Sequence, residues 1–236
     1  MWAPDGKHLV FRSVYGTSSA IWWIRTDGAG EAQRLLDVST ADMGPNSLSP
    51  DGRLLIYSHR DGDNYDLWTV SLDLTDPDHP KPGKPEPVFR SPFSEWRPAF
   101  SRDGRWVAYT SDESGRSDVY VRSFSGTASS PGGKWQVSTG GGGPLLWSLR
   151  GRELFFANGD RIMATQYTTL GGSFAADRPR LWSSTRILSD TGFTNDDLAP
   201  DGQRFAIFVR PEAAARDMPR VTFLLNFFDE LHRRLP

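Results

Sequence analysis

One turn sequence recurs five times along this chain and leaves few folds open to it. Residues 47–58 read SLSPDGRLLIYS. Close variants begin at Trp2 (WAPDGKHLVFRS), Ala99 (AFSRDGRWVAYT) and Asp197 (DLAPDGQRFAIF), and a worn copy begins at Trp147 (WSLRGRELFFA). On the turn position, Asp5, Asp51, Asp103, Arg150 and Asp201 follow one another at intervals of 46, 52, 47 and 51 residues. A period near 50 belongs to arrays of small units, each unable to bury its apolar face alone, so that neighbours must stack.

The units read alike. In the second, residues 46–49 lead into Pro50, Asp51 and Gly52, where proline presets φ, the aspartate caps the turn through its own side chain, and glycine accepts a positive φ. Residues 53–57 (RLLIY) are apolar on both faces, as a strand between two neighbouring sheets requires. A second turn at 60–64 opens a third strand at 66–70 (DLWTV), and a proline-rich excursion precedes a fourth at 87–89. The first unit supplies strands at 9–11, 21–24 and 34–36, the third at 106–109, 119–121 and 135–137, and the fourth at 154–156, 162–164 and 180–182. The fifth supplies 205–208 and 221–225, then a tail at 229–235 long enough for two helical turns.

Composition agrees. Nine tryptophans, seventeen prolines and twenty-three glycines favour short strands and tight turns over long helices. A formal net charge of -2 offers no field to recruit nucleic acid or an anionic membrane. With no cysteine there is no disulfide framework, thiolate metal site or cysteine nucleophile, and the compartment stays open. The start, MWAPDGK, lacks the regions of a secretory signal. The apolar run at 221–228, broken by Thr222 and Asn226, falls short of the roughly 18 residues a membrane span needs.

The Ser-Pro-Asp-Gly-Arg turn, the apolar strand after it, the Asp-Gly-rich second turn and the Asp-Leu-Trp or Asp-Val-Tyr strand opening resemble the TolB-type β-propeller repeat, a relative of the WD repeat. The resemblance covers nearly the whole chain. It implies an all-β propeller of four-stranded antiparallel blades over residues 1–236, with blades near 1–42, 43–92, 93–142, 143–190 and 191–236. In the fourth copy Leu149 and Arg150 replace Pro-Asp, which questions its turn. The ending VTFLLNFFDELHRRL from Val221 resembles the C-terminal propeller region of bacterial membrane-anchored Ser/Thr protein kinases. That resemblance implies a sensor on the extracytoplasmic side. Because the first unit opens on Trp2 and Ala3 and the last stops at its third strand, the expectation is an open arc of five blades forming the C-terminal part of a longer chain.

Chemistry is sparse. Asp5, Asp51, Asp103 and Asp201 are read as turn residues, each in its own hairpin and far apart in a ring. The stretch 61–66 (DGDNYD) has a calcium-loop look, but Tyr65 takes a ligand position and the closing Glu is missing. Asp66 and Asp118, both before a third strand, are read as hairpin braces. Gly140 to Gly143 are followed by a strand and not a helix, so they form a flexible connection and no phosphate cradle. His8, His59, His79 and His232 lack metal-ligand spacing and are read as solvated. Gly16-Thr17-Ser18-Ser19-Ala20 lacks the last glycine of a nucleophile elbow. Propellers of the prolyl-oligopeptidase type are similar too, but their chemistry sits in a separate hydrolase domain. Neither catalysis nor a cofactor is implied.

What remains is a surface. The propeller arrangement puts inter-blade connections and second hairpin turns on one face. There Asn46, Glu95, Trp96, Arg97, Asn195 and Asp196 combine an aromatic platform with charged and amide groups suited to a protein, peptide or small ligand. The alternative for Trp96 is packing between blades. The excursion at 76–87 reads as a solvated extended loop. The functions in view are a binding or sensor module, a TolB-like protein-interaction scaffold, and an accessory propeller of a peptidase or hydrolase.

Overall fold

The computed structural model describes residues 1–38, 44–89, 91–126, 132–143, 145–187, 196–199 and 204–207. Over these residues the chain is all-β and folds into five antiparallel sheets. The first holds β1 (His8–Tyr15), β2 (Ser18–Arg25) and β3 (Gln33–Val38), with Trp2 bridging to Leu9 ahead of β1. The second holds β4 (Gly44–Leu48), β5 (Leu54–Asp61), β6 (Asn64–Asp73), β7 (Lys81–Pro82) and β8 (Glu86–Phe89). The third runs in simple order through β9 (Glu95–Phe100), β10 (Trp106–Ser111), β11 (Asp118–Ser123) and β12 (Lys134–Gln136). The fourth holds β13 (Leu145–Trp147), β14 (Glu153–Asn158), β15 (Arg161–Leu170), β16 (Ser173–Ala176) and β17 (Arg180–Leu181), and the fifth β18 (Asp196–Leu198) and β19 (Phe205–Ile207).

The core lies between sheets. Val10, Ile21 and Trp23 of the first sheet pack on Leu55, Tyr57 and Val70 of the second. On its other side the second sheet gives Ile56 and Leu67 to a cluster with Val107, Tyr109 and Tyr120. Ala108, Val119 and Val121 then meet Trp147, Leu154 and Phe156 of the fourth, and Phe155 and Ala164 meet Leu198 of the fifth. Alternate residues of β5 and β10 thus serve opposite neighbours, which is why both strands read as continuous apolar runs.

The recurring turn is built as its chemistry requires. Ser49 Oγ donates to Asp51 Oδ1 (2.5 Å), Arg53 N–H donates to the same oxygen (3.1 Å), and Leu54 N–H donates to Ser49 Oγ (2.9 Å). Ser101, Asp103, Arg105 and Trp106 repeat the pattern. In the worn copy Ser148 Oγ alone accepts from the N–H groups of Arg150 (3.4 Å) and Gly151 (3.0 Å), so the turn survives without its aspartate. Successive turns are not isolated, contrary to expectation. A Cβ on Gly52 would lie 3.5 Å from Pro4, one on Gly104 would lie 3.3 Å from Pro50, and Arg102 donates to the Leu149 carbonyl. The turn at Asp201, the strand expected at 221–225 and the tail lie outside the described residues.

Three other expectations are corrected. The four-glycine connection is pinned: Gly141 N–H donates to Asp118 Oδ1 (2.9 Å), Gly142 N–H to Ser117 O (2.8 Å) and Gly143 N–H to Ala157 O (2.7 Å). The excursion in the second sheet is docked on the first, with Trp23 Nε1–H donating to Pro77 O (3.0 Å). His8 is 3% exposed, stacked on Trp23 and held by Asp5 and Asp78, because the docked excursion covers it.

Candidate functional site

The strand order sends each first strand away from the inter-sheet connection and toward the Asp turn. Each second strand returns, so connections and second hairpin turns share a face. Hydrogen bonds tie them there. Asn64 Nδ2–H donates to Pro92 O (3.1 Å), Tyr65 N–H to Ser94 Oγ (3.3 Å), and Ser94 N–H to Asp112 Oδ1 (2.9 Å). Phe93 projects from this connection, 41% exposed.

Between the second and third sheets the structure brings Asn46 and Arg97 together. The β4–β5 register shifts between Pro45 and Ser47, which sets Asn46 in a bulge. Its Oδ1 accepts from both the backbone N–H (2.9 Å) and the Oγ (3.0 Å) of Ser58, which is fully buried. Ser58 Oγ in turn accepts from Arg97 N–H (3.0 Å), and Phe100 N–H donates to Ser47 Oγ (3.1 Å). Asn46 therefore ties β4 to β5 and fixes the Ser58 hydroxyl, and it is Ser58 and Ser47 that carry the seam across to β9. Arg97 carries a φ of 55°, the one positive value on a non-glycine among the described residues, where β9 shifts register against β10. Such local strain persists only where surrounding bonds impose it.

Glu95 and Trp96 sit at the head of β9, opposite Ser111 and Thr110. Trp96 is half-buried and joins none of the hydrophobic clusters among the described residues. Glu95 is only 3% exposed. Ser91 Oγ donates to its Oε1, while Oε2 is buried without a hydrogen-bond partner. Burial pushes this carboxyl up to about 7; Ser91 and Arg122 pull it down, and Asp66 and Glu113 add to the rise. Between 4.5 and about 7 the group is thus a carboxylic acid where an exposed glutamate is ionised. Sequence reasoning placed Glu95 on the rim as a charge, and the structure places it as a buried acid.

Asp118, read as a brace, is one: Ser114 Oγ (2.7 Å), Ser138 Oγ (2.9 Å) and Gly141 N–H all donate to it. These bonds outweigh the cost of burial and hold it below the usual range. Asn195 lies outside the described residues. Of Asp196 only the backbone is described, paired with Ile207 at the start of β18. Among the described residues no group of three or more histidines, cysteines or acids is placed to hold a metal, and no helix is long and apolar enough to cross a membrane.

No protein-family model matches the chain, and no curated protein matches it. Solved structures do. A protein assigned as TolB from Agrobacterium tumefaciens superimposes with a TM-score of 0.62 at 16% identity, over 89% of this chain and 73% of that one. TolB from Acinetobacter baumannii gives 0.56 at 16% identity, over 89% and 53%. A periplasmic gluconolactonase from Pseudomonas aeruginosa gives 0.56 at 17% identity, over 87% and 63%. The chain thus has a β-propeller fold, TolB-like in its blades. At these identities the likeness is one of fold.

Proposed function

We propose that this propeller is a non-catalytic binding module that presents the face of its inter-blade connections to a protein or peptide. The observation that carries the reading is the seam between the second and third blades, where Phe93 and the half-buried Trp96 offer apolar surface beside Arg97 on a backbone fixed by the bonds of Asn46, Ser58 and Arg97. Aromatic anchors on a rigid frame are what binding surfaces use, because little conformational entropy is lost on contact. The fold likeness to TolB supports a protein-interaction role. Its narrower form, an extracytoplasmic sensor of a receptor-type Ser/Thr kinase, is supported by the ending from Val221. The likeness to the gluconolactonase brings no active-site residue across at 17% identity.

The test is to pan a phage-displayed peptide library against the chain and compare enriched peptides on wild type and on Trp96→Ala with Arg97→Ala. The expected outcome is binding weakened by about tenfold or more with thermal unfolding nearly unchanged. A large loss of stability would show Trp96 to be core. Unchanged binding would place the working surface elsewhere.

A further inference from the structure

The connection that carries Phe93 is fastened from beneath by a buried acid. Ser91 Oγ accepts from the Phe93 N–H (3.1 Å) and donates to Glu95 Oε1, with the Phe93 carbonyl a more distant acceptor for the same hydrogen (3.3 Å). The turn from Ser91 to Phe93 is local, and Glu95 is what ties it inward to the head of β9. Asn64 and Asp112 hold the neighbouring Pro92 carbonyl and Ser94 N–H from the flanking hairpin turns. Phe93 itself stays outside, exposed on the connection face.

Glu95 is placed as a neutral acid would be. It is buried, and its Oε2 has no hydrogen-bond partner. An ionised carboxylate buried with one bare oxygen is costly, whereas the protonated group forgoes a single hydrogen bond. Around it stand Asp66 of β6, Tyr109 of β10, Glu113 from the turn after β10 and Arg122 of β11. Burial disfavours the charge most; Ser91 and Arg122 favour it, and Asp66 and Glu113 oppose it. Once ionised, the carboxylate is relieved by turning to water, and Ser91 loses its inward acceptor.

We propose that Glu95 is the positioning residue of the connection face, holding Phe93 in place for a partner through Ser91. The inference rests on the reading of this face as the binding surface. The hold belongs to the neutral acid: it is complete at low pH and is lost as pH rises through about 7, where the buried group ionises. A partner anchored on Phe93 is therefore captured in mild acid and released in mild alkali.

Amide exchange of Phe93, corrected for intrinsic rates and followed from about pH 5.5 to about pH 8.5, tests this without any partner. Wild type is expected to lose protection there by about tenfold or more, while the amides of β10 and β11 keep theirs. Glu95→Gln keeps an acceptor for Ser91 and never ionises, so its protection is expected to be flat with pH, at the wild-type level in acid. Ser91→Ala, which alters a half-exposed side chain, is expected to be flat and low. If wild-type protection does not change with pH, or if Glu95→Gln keeps the wild-type step or falls to the level of Ser91→Ala, Glu95 does not position Phe93. Where Glu95→Gln fails to fold, the carbon-13 shift of the Glu95 carboxyl in wild type decides: it is expected protonated at about pH 5.5, and an ionised group there overturns the proposal. Peptides enriched on wild type in acid are expected to bind about tenfold more weakly at about pH 8.5, and equally at both ends on Glu95→Gln. Binding by wild type that ignores pH would also overturn it. Failure to enrich any peptide would count against the binding reading, and the exchange of Phe93 would still decide whether Glu95 holds it.

Discussion

Glu95 buries a carboxyl at the head of a strand that the sequence presents as surface. Because its folded value is raised from 4.5 to about 7, it favours the fold fully below 4.5 and loses that contribution as pH rises through 7. The loss is at most about 3 kcal/mol, less where water at the rim screens the group. Urea unfolding of Glu95→Gln should therefore run parallel to wild type below pH 4.5 and diverge upward above it, with the variant more stable near about pH 8. Parallel curves throughout would mean that Glu95 is solvated. The Asp turns make a simpler prediction. Asp51→Ala removes the acceptor for Ser49 Oγ and Arg53 N–H, and a loss of about 1 kcal/mol in thermal or urea unfolding is expected. The turn chemistry was legible because it is local: Pro, Asp and Gly each act on their own backbone. Glu95 was not, because which residues of EWRPAF face inward depends on the register shift around Arg97, and a one-residue shift exchanges the two faces of a strand.

The third strands of the second and fourth sheets outrun their partners, and each overhang makes a contact with the preceding sheet. β6 continues past β8 to pair with β7, and the excursion between them docks on His8 and Trp23. β15 continues past β17 to pair with β16, which sets Phe174 among Trp106, Trp135, Trp147 and Tyr167 at centroid distances of 5.3, 6.1, 6.2 and 5.0 Å. The first and second sheets are thus clasped, as are the third and fourth. Phe174→Ala empties the second clasp and should cost about 3–5 kcal/mol in unfolding free energy; a loss below about 1 kcal/mol would mean the arm is peripheral. In the glycine run, a Cβ on Gly142 would lie 2.5 Å from Val119 Cγ2, a stiff, fully buried side chain. Gly142→Ala should destabilise by about 1–3 kcal/mol, where Gly140→Ala, with only Asn158 within 4 Å, should be nearly neutral. Both clasps and the pinned glycines escaped the sequence for one reason. Composition reports solvation and flexibility only when nothing distant comes to meet the segment, and His8–Asp78 and Trp106–Phe174 are distant pairs.

At the scale of the molecule, the stacking of sheets was legible because a repeat near 50 residues leaves each unit with two apolar faces to cover. The clusters on either side of β5 and β10 are the physical form of that statement. The proposed division of labour between the two faces follows from strand order: Asp turns and clasps tie the blades together on one, and inter-blade connections present side chains on the other. Mapping amide exchange with and without a saturating enriched peptide tests that division most directly. The account predicts new protection at residues 62–65 and 91–97, on the connection face of the second and third blades. Protection confined to 49–53, 74–83 or 101–105 would put the partner on the opposite face and contradict it.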